Sequence, residues 1–225
     1  MTICLRLDNV KREIVNELKN ADLLTVTQRN VTTTTQNFTA TASQTVFTLT
    51  YEPRNIRSLT VAAVNKYYFL DYEFNAVNKT VTLYTGATLS DAVIIQYDYG
   101  TTGAGGDKIY PDYPREDLSF KSYPRIAVEI TNQNTEPLGL GASKWISDIV
   151  ITVFAWVPAE RISNIGGSDY LSYLTTKIRE AIINRAKSFY LFKFIKPLST
   201  TGIIKGPYDK VLQQNQDFMI QFVIE

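Results

Sequence analysis

Near the N-terminus apolar residues return at helical spacing. Across residues 8 to 24 (DNVKREIVNELKNADLL), Val10, Ile14 and Leu18 share one face while Lys11, Arg12, Glu13, Glu17 and Lys19 take the others, which predicts an amphipathic helix. Asp8 is placed to cap it, and the pattern fails near Asn20. From Thr25 the texture changes. Threonine fills positions 25, 27, 32 to 35, 39, 41, 45, 48 and 50, and β-branched and aromatic residues replace helix formers, which favours strands. The runs VFTLTY (46 to 51), SLTVAAVN (58 to 65), KYYFLDYEFN (66 to 75), TVTLYT (80 to 85) and AVIIQYDY (92 to 99) predict short strands. Turns are expected at Glu52-Pro53, Asn65-Lys66, 75 to 79 and 86 to 91. This spacing predicts a small antiparallel sandwich or barrel, and GTTGAGG (100 to 106) reads as a flexible connector.

Helical and strand periods then mix. KIYPDYPRED (108 to 117) reads as an extended arm, and RIAVEI (125 to 130) as a strand followed by a polar loop over 131 to 147 that carries Trp145. DIVITVFAWV (148 to 157) is apolar on both alternations, which predicts a central strand covered on both faces and ended by Pro158. After a second loop, 158 to 167, Ser168 caps a helix whose stripe is Leu171, Leu174, Ile178, Ala181 and Ile182, with Lys177, Arg179 and Glu180 outward and Arg185 and Lys187 near its end. Residues 189 to 195 and 218 to 224 read as further strands. The stripe of the first helix needs a partner, and a sandwich that closes its own core has no use for it. The expected organisation is therefore an α+β core, helices packed on a mixed or antiparallel sheet, made of 1 to 25 and 104 to 225. An all-β, sandwich-like domain is inserted over 26 to 103. A tandem arrangement with a docked N-terminal helix is the alternative.

Composition narrows the chemistry. Among 225 residues, 23 Lys+Arg against 22 Asp+Glu leave a net charge of +1, so no general field draws the chain to nucleic acid or anionic lipid. The absence of histidine removes the commonest general base and metal ligand, and with it His-based nucleophilic catalysis. One cysteine, Cys4, excludes an internal disulfide framework and multi-cysteine metal sites. Residues 1 to 7 lack the features of a signal peptide, and the apolar run 149 to 157 is short for a bilayer and broken by Thr152. A protein made in the cytoplasm and independent of membranes is expected.

The remaining motifs have bland explanations. Asp71 with Glu73 and Glu116 with Asp117 sit in polar surroundings, unlike the perturbed acid of a glycosidase, and read as solvated turns. GTTGAGG is followed by two prolines rather than a helix, which argues against a phosphate loop. Lys187, Lys193, Lys196, Lys205 and Lys210 interleave with Phe189, Tyr190, Phe192, Phe194 and Tyr208. Single-stranded nucleic acid binds such surfaces, but the favoured reading is an aromatic core face with lysines in solvent. Tyr67, Tyr68 and Tyr72 are candidates for stacking on a sugar, set against ordinary use in a sandwich core. Sequons at Asn30, Asn37 and Asn78 matter only in a secretory setting.

Two parts of the chain resemble known families. NFTATASQTVFTLTYEP (37 to 53) with the stretch 58 to 99 resembles the small β-domains of tailed-phage structural proteins, through Phe38, Gln44, Thr45, Phe47, Leu49, Tyr72, Val81, Leu83, Leu89, Asp91 and Tyr97; Lys66 and Ser90 depart from the glycines usual there. The rest is similar to tail-completion or tail-terminator proteins of the neck in the order of its elements: N-terminal helix, SYPRIAVEI (122 to 130), PLGLG (137 to 141), DIVITVFAWV and DYLSYLTTKIREAI (169 to 182). The resemblance implies a non-enzymatic virion subunit, commonly a hexameric ring. It would join the head-proximal connector to the tail tube, with genome DNA only passing through the lumen. It implies no catalytic, cofactor-binding or metal-ligating residue, and carries Tyr123, Pro124 and Arg125 as a structural signature. With Trp145, whose indole suits an interface anchor, these form the expected oligomer interface. The alternative is a receptor- or polysaccharide-binding subunit of a fibre or baseplate.

Overall fold

The computed structural model describes residues 7–29, 31–68, 70–100, 108–111, 123–137, 145–160, 165–186, 192–205 and 210–224. In chain order its elements are α1 (Leu7–Asn20), α2 (Val26–Arg29), β1 (Val31–Thr39), β2 (Gln44–Thr48), β3 (Pro53–Val61), β4 (Val64–Lys66), β5 (Tyr72–Asn75), β6 (Thr80–Ala87) and β7 (Ala92–Gly100). They continue with β8 (Ile109–Tyr110), β9 (Arg125–Pro137), β10 (Trp145–Pro158), α3 (Gly167–Ala186), β11 (Phe192–Thr200), β12 (Ile204–Lys205) and β13 (Val211–Ile224). The chain divides into two compact units, Met1–Leu24 with Lys108–Glu225, and Thr25–Asp107.

The expected α+β class is corrected by this inventory. Among the described residues 59% are strand and 19% helix, in three sheets with two helices longer than one turn, so the chain is mostly β. Part of the difference lies in residues 131 to 137, expected as loop, which continue β9 as strand. Their side chains are polar and exposed, and what makes them strand is the backbone ladder to β10 rather than burial.

In the unit Thr25–Asp107, strands pair in the orders β1-β7-β3-β4 and β2-β6-β5, and the two sheets enclose one core. Val93, Ile95 and Tyr97 alternate inward from β7 to meet Phe47, Tyr72, Val81 and Leu83. Local chemistry sets the ends of the elements. Thr25 and Gln28 form a reciprocal cap, the Gln28 N–H donating to Thr25 Oγ1 and the Thr25 N–H to Gln28 Oε1, which starts the single turn of α2. Gly86 is required because a Cβ there would lie 2.8 Å from the Ser43 carbonyl oxygen. The β3–β4 hairpin turns at Ala62 and Ala63, with φ of 49° and 64°, and not at Asn65-Lys66 as the sequence predicts. The run 66 to 75 is likewise divided, because Asp71 Oδ2 accepts the Tyr67 N–H and closes a turn before β5.

Asp98 lies on the opposite face of β7 from that core, and its carboxylate is fully buried. Arg29 Nη1 reaches Asp98 Oδ2 at 3.0 Å from α2, and Arg57 Nε donates to Oδ1 at 2.7 Å from β3. Thr33 Oγ1 donates to Oδ1 from β1, and Arg29 Nη2 donates to Asn55 Oδ1 at 2.8 Å. Four elements therefore meet at one charge.

The other unit is built on a sheet ordered β11-β13-β10-β9-β8, with β12 also paired to β13. β10 is antiparallel to β13 and to β9 along its length, with a bulge in β9 near Val150 and Ile151. Ile149, Ile151, Val153, Ala155 and Val157 share a core with Val10, Ile14 and Leu18 of α1 and Leu171, Leu174, Ile178 and Ile182 of α3. α3 begins at Gly167, where a Cβ would collide with the carbonyl oxygens of Pro158 and Ala159.

Two stability measurements check this account. Alanine in the left-handed region costs about 1 kcal/mol or more per residue, so the double substitution Ala62→Asn, Ala63→Gly is expected to raise the stability of its unit by about 1 kcal/mol in urea unfolding. Arg29→Met is expected to lower it by about 3 to 5 kcal/mol, because it strips a buried carboxylate of one partner. A loss no larger than that of an exposed-arginine substitution would contradict the role given to Asp98.

Candidate assembly surface

Paired on both sides, β10 divides its side chains between two faces. Odd positions 149 to 157 enter the core, and Asp148, Val150, Thr152, Phe154 and Trp156 point the other way. On that second face polar groups link strand to strand. Thr152 Oγ1 donates to Asp217 Oδ1 at 2.7 Å and lies 3.2 Å from Thr131 Oγ1, while Ser199 Oγ donates to Asp217 Oδ2. The result is one hydrogen-bonded row across β9, β10, β13 and β11. Gln221 Nε2 donates to Asp148 Oδ1, and Trp156 Nε1 donates to Gln213 Oε1 at 3.0 Å while its ring stacks on Phe154.

The four residues expected at an interface are not brought together. Trp145 opens β10 between Pro137 and Ile224 and is 44% exposed, on a strand rather than in a loop. Arg125 pairs with Trp156 at the opposite end of the β9–β10 hairpin, about 36 Å away at roughly 3.3 Å per residue. Pro124 is buried, and Arg125 is 6% exposed with its guanidinium 5.5 Å from the centre of the half-buried Tyr123 ring. Burial raises the Tyr123 pKa, and the Arg125 charge pulls it down. Pro124 and Arg125 are thus buried within their own unit, and Trp145 is the exposed member of the expected set. Lys108, one residue before the Ile109–Ile126 pair, is also buried, and burial and then the Arg125 charge lower its pKa.

The surface that sequence reasoning missed is at the sheet edge. Phe194, expected in an aromatic core face, is 46% exposed, because it faces away from Ile195, which packs against the core. Leu198 at a register shift in β11, and Ile203 and Ile204 beside it in sequence, are comparably exposed. The signal was weak: apolar residues fall on both alternations of 192 to 200, Phe192, Phe194 and Leu198 against Ile195, and the pattern does not say which face is covered. Residues 187 to 191 and 206 to 209 of that basic-aromatic stretch lie outside the described residues.

The other candidates resolve individually. Tyr68 and Tyr72 are core residues, whereas Tyr67 is exposed. An aromatic pair not singled out by sequence, Tyr51 on Tyr99, stacks at 4.2 Å and leaves Tyr51 open to solvent. Asp71 serves a turn, and Glu116, Asp117, Cys4, Asn30 and residues 101 to 107 lie outside the described residues. Among the described residues no group of three or more His, Cys, Asp or Glu could hold a metal ion. Among them, too, no helix is long and apolar enough to cross a membrane. No protein-family model matches the chain, and no curated protein matches it.

The two tryptophans are expected to behave oppositely. Trp156→Ala, at 6% exposure with its N–H bonded, should cost about 3 to 5 kcal/mol in urea unfolding. Trp145→Ala should cost less than about 1 kcal/mol. Equal losses would mean that Trp145 belongs to the subunit's own core.

Proposed function

We propose that this chain is a structural subunit of a tailed-virus particle, a neck or tail ring component of the tail-terminator or tail-completion kind, with no enzymatic activity. It carries the unit Thr25–Asp107 as a decoration and works by assembly, six copies closing a ring between the head-proximal connector and the tail tube. Genome DNA passes through the lumen, and the subunit is made in the host cytoplasm before incorporation into the virion. The observation that carries the reading is the set of large apolar side chains exposed on the edge strands of one sheet, Phe194 and Leu198 on β11 and Ile204 on β12, with Trp145 exposed separately at the start of β10. Such residues favour a protein partner over water. Both resemblances in the sequence point to the same setting.

One observation favours a second reading. The open Tyr51 ring, stacked on Tyr99 and next to the Glu52–Arg54 ion pair, is the chemistry of a sugar platform, which suits an adhesin of a fibre or baseplate. Electron microscopy of intact particles separates the two. The ring reading expects this chain in a closed ring at the head–tail junction, and a peripheral trimer or single copies on a fibre would overturn it.

A further inference from the structure

The six-stranded sheet ends in two open edges of different character. On one side β11 pairs with β13, and among the described residues no strand lies on its outer side. On the other, β8 covers only Ile126 and Ala127 of β9, leaving residues 131 to 137 as consecutive exposed strand residues with no strand beyond them among the described residues. An open edge presents unpaired N–H and C=O groups and accepts another strand.

We propose that the β11 edge of one copy pairs head to tail with the β9 edge of a second copy, so that the sheet runs on from subunit to subunit. The inference deepens the assembly reading and rests on it only in taking the partner to be another copy of this chain. Direction supports it first. β11 is antiparallel to β13, β13 to β10 and β10 to β9, so β9 runs opposite to β11. Two copies in the same orientation thus bring the edges together antiparallel, continuing the order of the sheet. Lengths are comparable, nine residues of β11 against the seven of the open stretch 131 to 137. Charge agrees as well: exposed Lys196 and Lys205 mark one edge, and the exposed Glu136 the other. Pairing β11 with its own copy would instead set lysine toward lysine, which cross-strand neighbours disfavour. The contact joins two different patches and therefore propagates, closing into a ring when the rotation allows.

The test uses the full chain, with sedimentation velocity and amide hydrogen exchange from dilute to concentrated solution. Concentration-dependent association is expected, with amides of 131 to 137 and of 194 to 200 gaining protection together. Leu198→Asp is expected to weaken association about tenfold at an unchanged thermal midpoint, and Leu198→Ala serves should the aspartate disturb folding. A chain that stays monomeric throughout overturns the proposal, as does protection of 194 to 200 without 131 to 137, or association undiminished in both Leu198 variants. Particle microscopy is separate: a location away from any ring, combined with joint protection of both edges, would remove the assembly reading of the virion and leave the edge pairing standing.

Discussion

A carboxylate closed off from water has to be met by charge where it lies, and Asp98 makes that demand on the unit Thr25–Asp107. Arg29, Arg57 and Thr33 answer from α2, β3 and β1, all at hydrogen-bonding distance of one side chain. An ionised group left unpaired in such a place costs more than any one apolar contact is worth. The strands around β7 can therefore close in one register only. The apolar core on the other face of that sheet is more forgiving, since hydrophobic side chains repack at modest cost.

The unit built on β10 is organised differently. Its centre is a long strand whose backbone is paired on both sides, with α1 and α3 sharing the apolar core on one face and a hydrogen-bonded row through Thr152 and Asp217 on the other. The two units also treat their edges differently. In the sandwich, β4 has only three residues, and Gln36 of β1 bonds the backbone at Thr48 and Thr50, which leaves little edge for another chain. In the β10 unit the edges are long, one apolar with lysines and one polar with Glu136. Association between copies would belong there.

The resemblance to phage structural proteins and the exposed edge are independent kinds of support for an assembly role. One comes from residue order along the chain. The other comes from exposure and says nothing about viruses. Together they favour a subunit whose partners are proteins, and the Tyr51–Tyr99 stack is the feature that most resists that account.

What the sequence determined by itself was whatever depends on near neighbours. Helical stripes through Val10, Ile14 and Leu18 and through Leu171, Leu174 and Ile178 are visible because one face repeats every three to four residues, and the largely apolar run 149 to 157 marks a central strand, of which the helices cover one face and not both as its pattern predicts. The tertiary structure alone decided the rest. Residues 131 to 137 are strand because β10 offers them a ladder, the hairpin turns on two alanines because the pairing of β3 with β4 requires it, and Arg29 is buried because Asp98 waits 69 positions along the chain. The two tryptophans are indistinguishable in composition, and only the position of each along β10 leaves one covered and one exposed. Backbone pairing, charge compensation and coverage are set by residues distant in sequence, so no local pattern can record them.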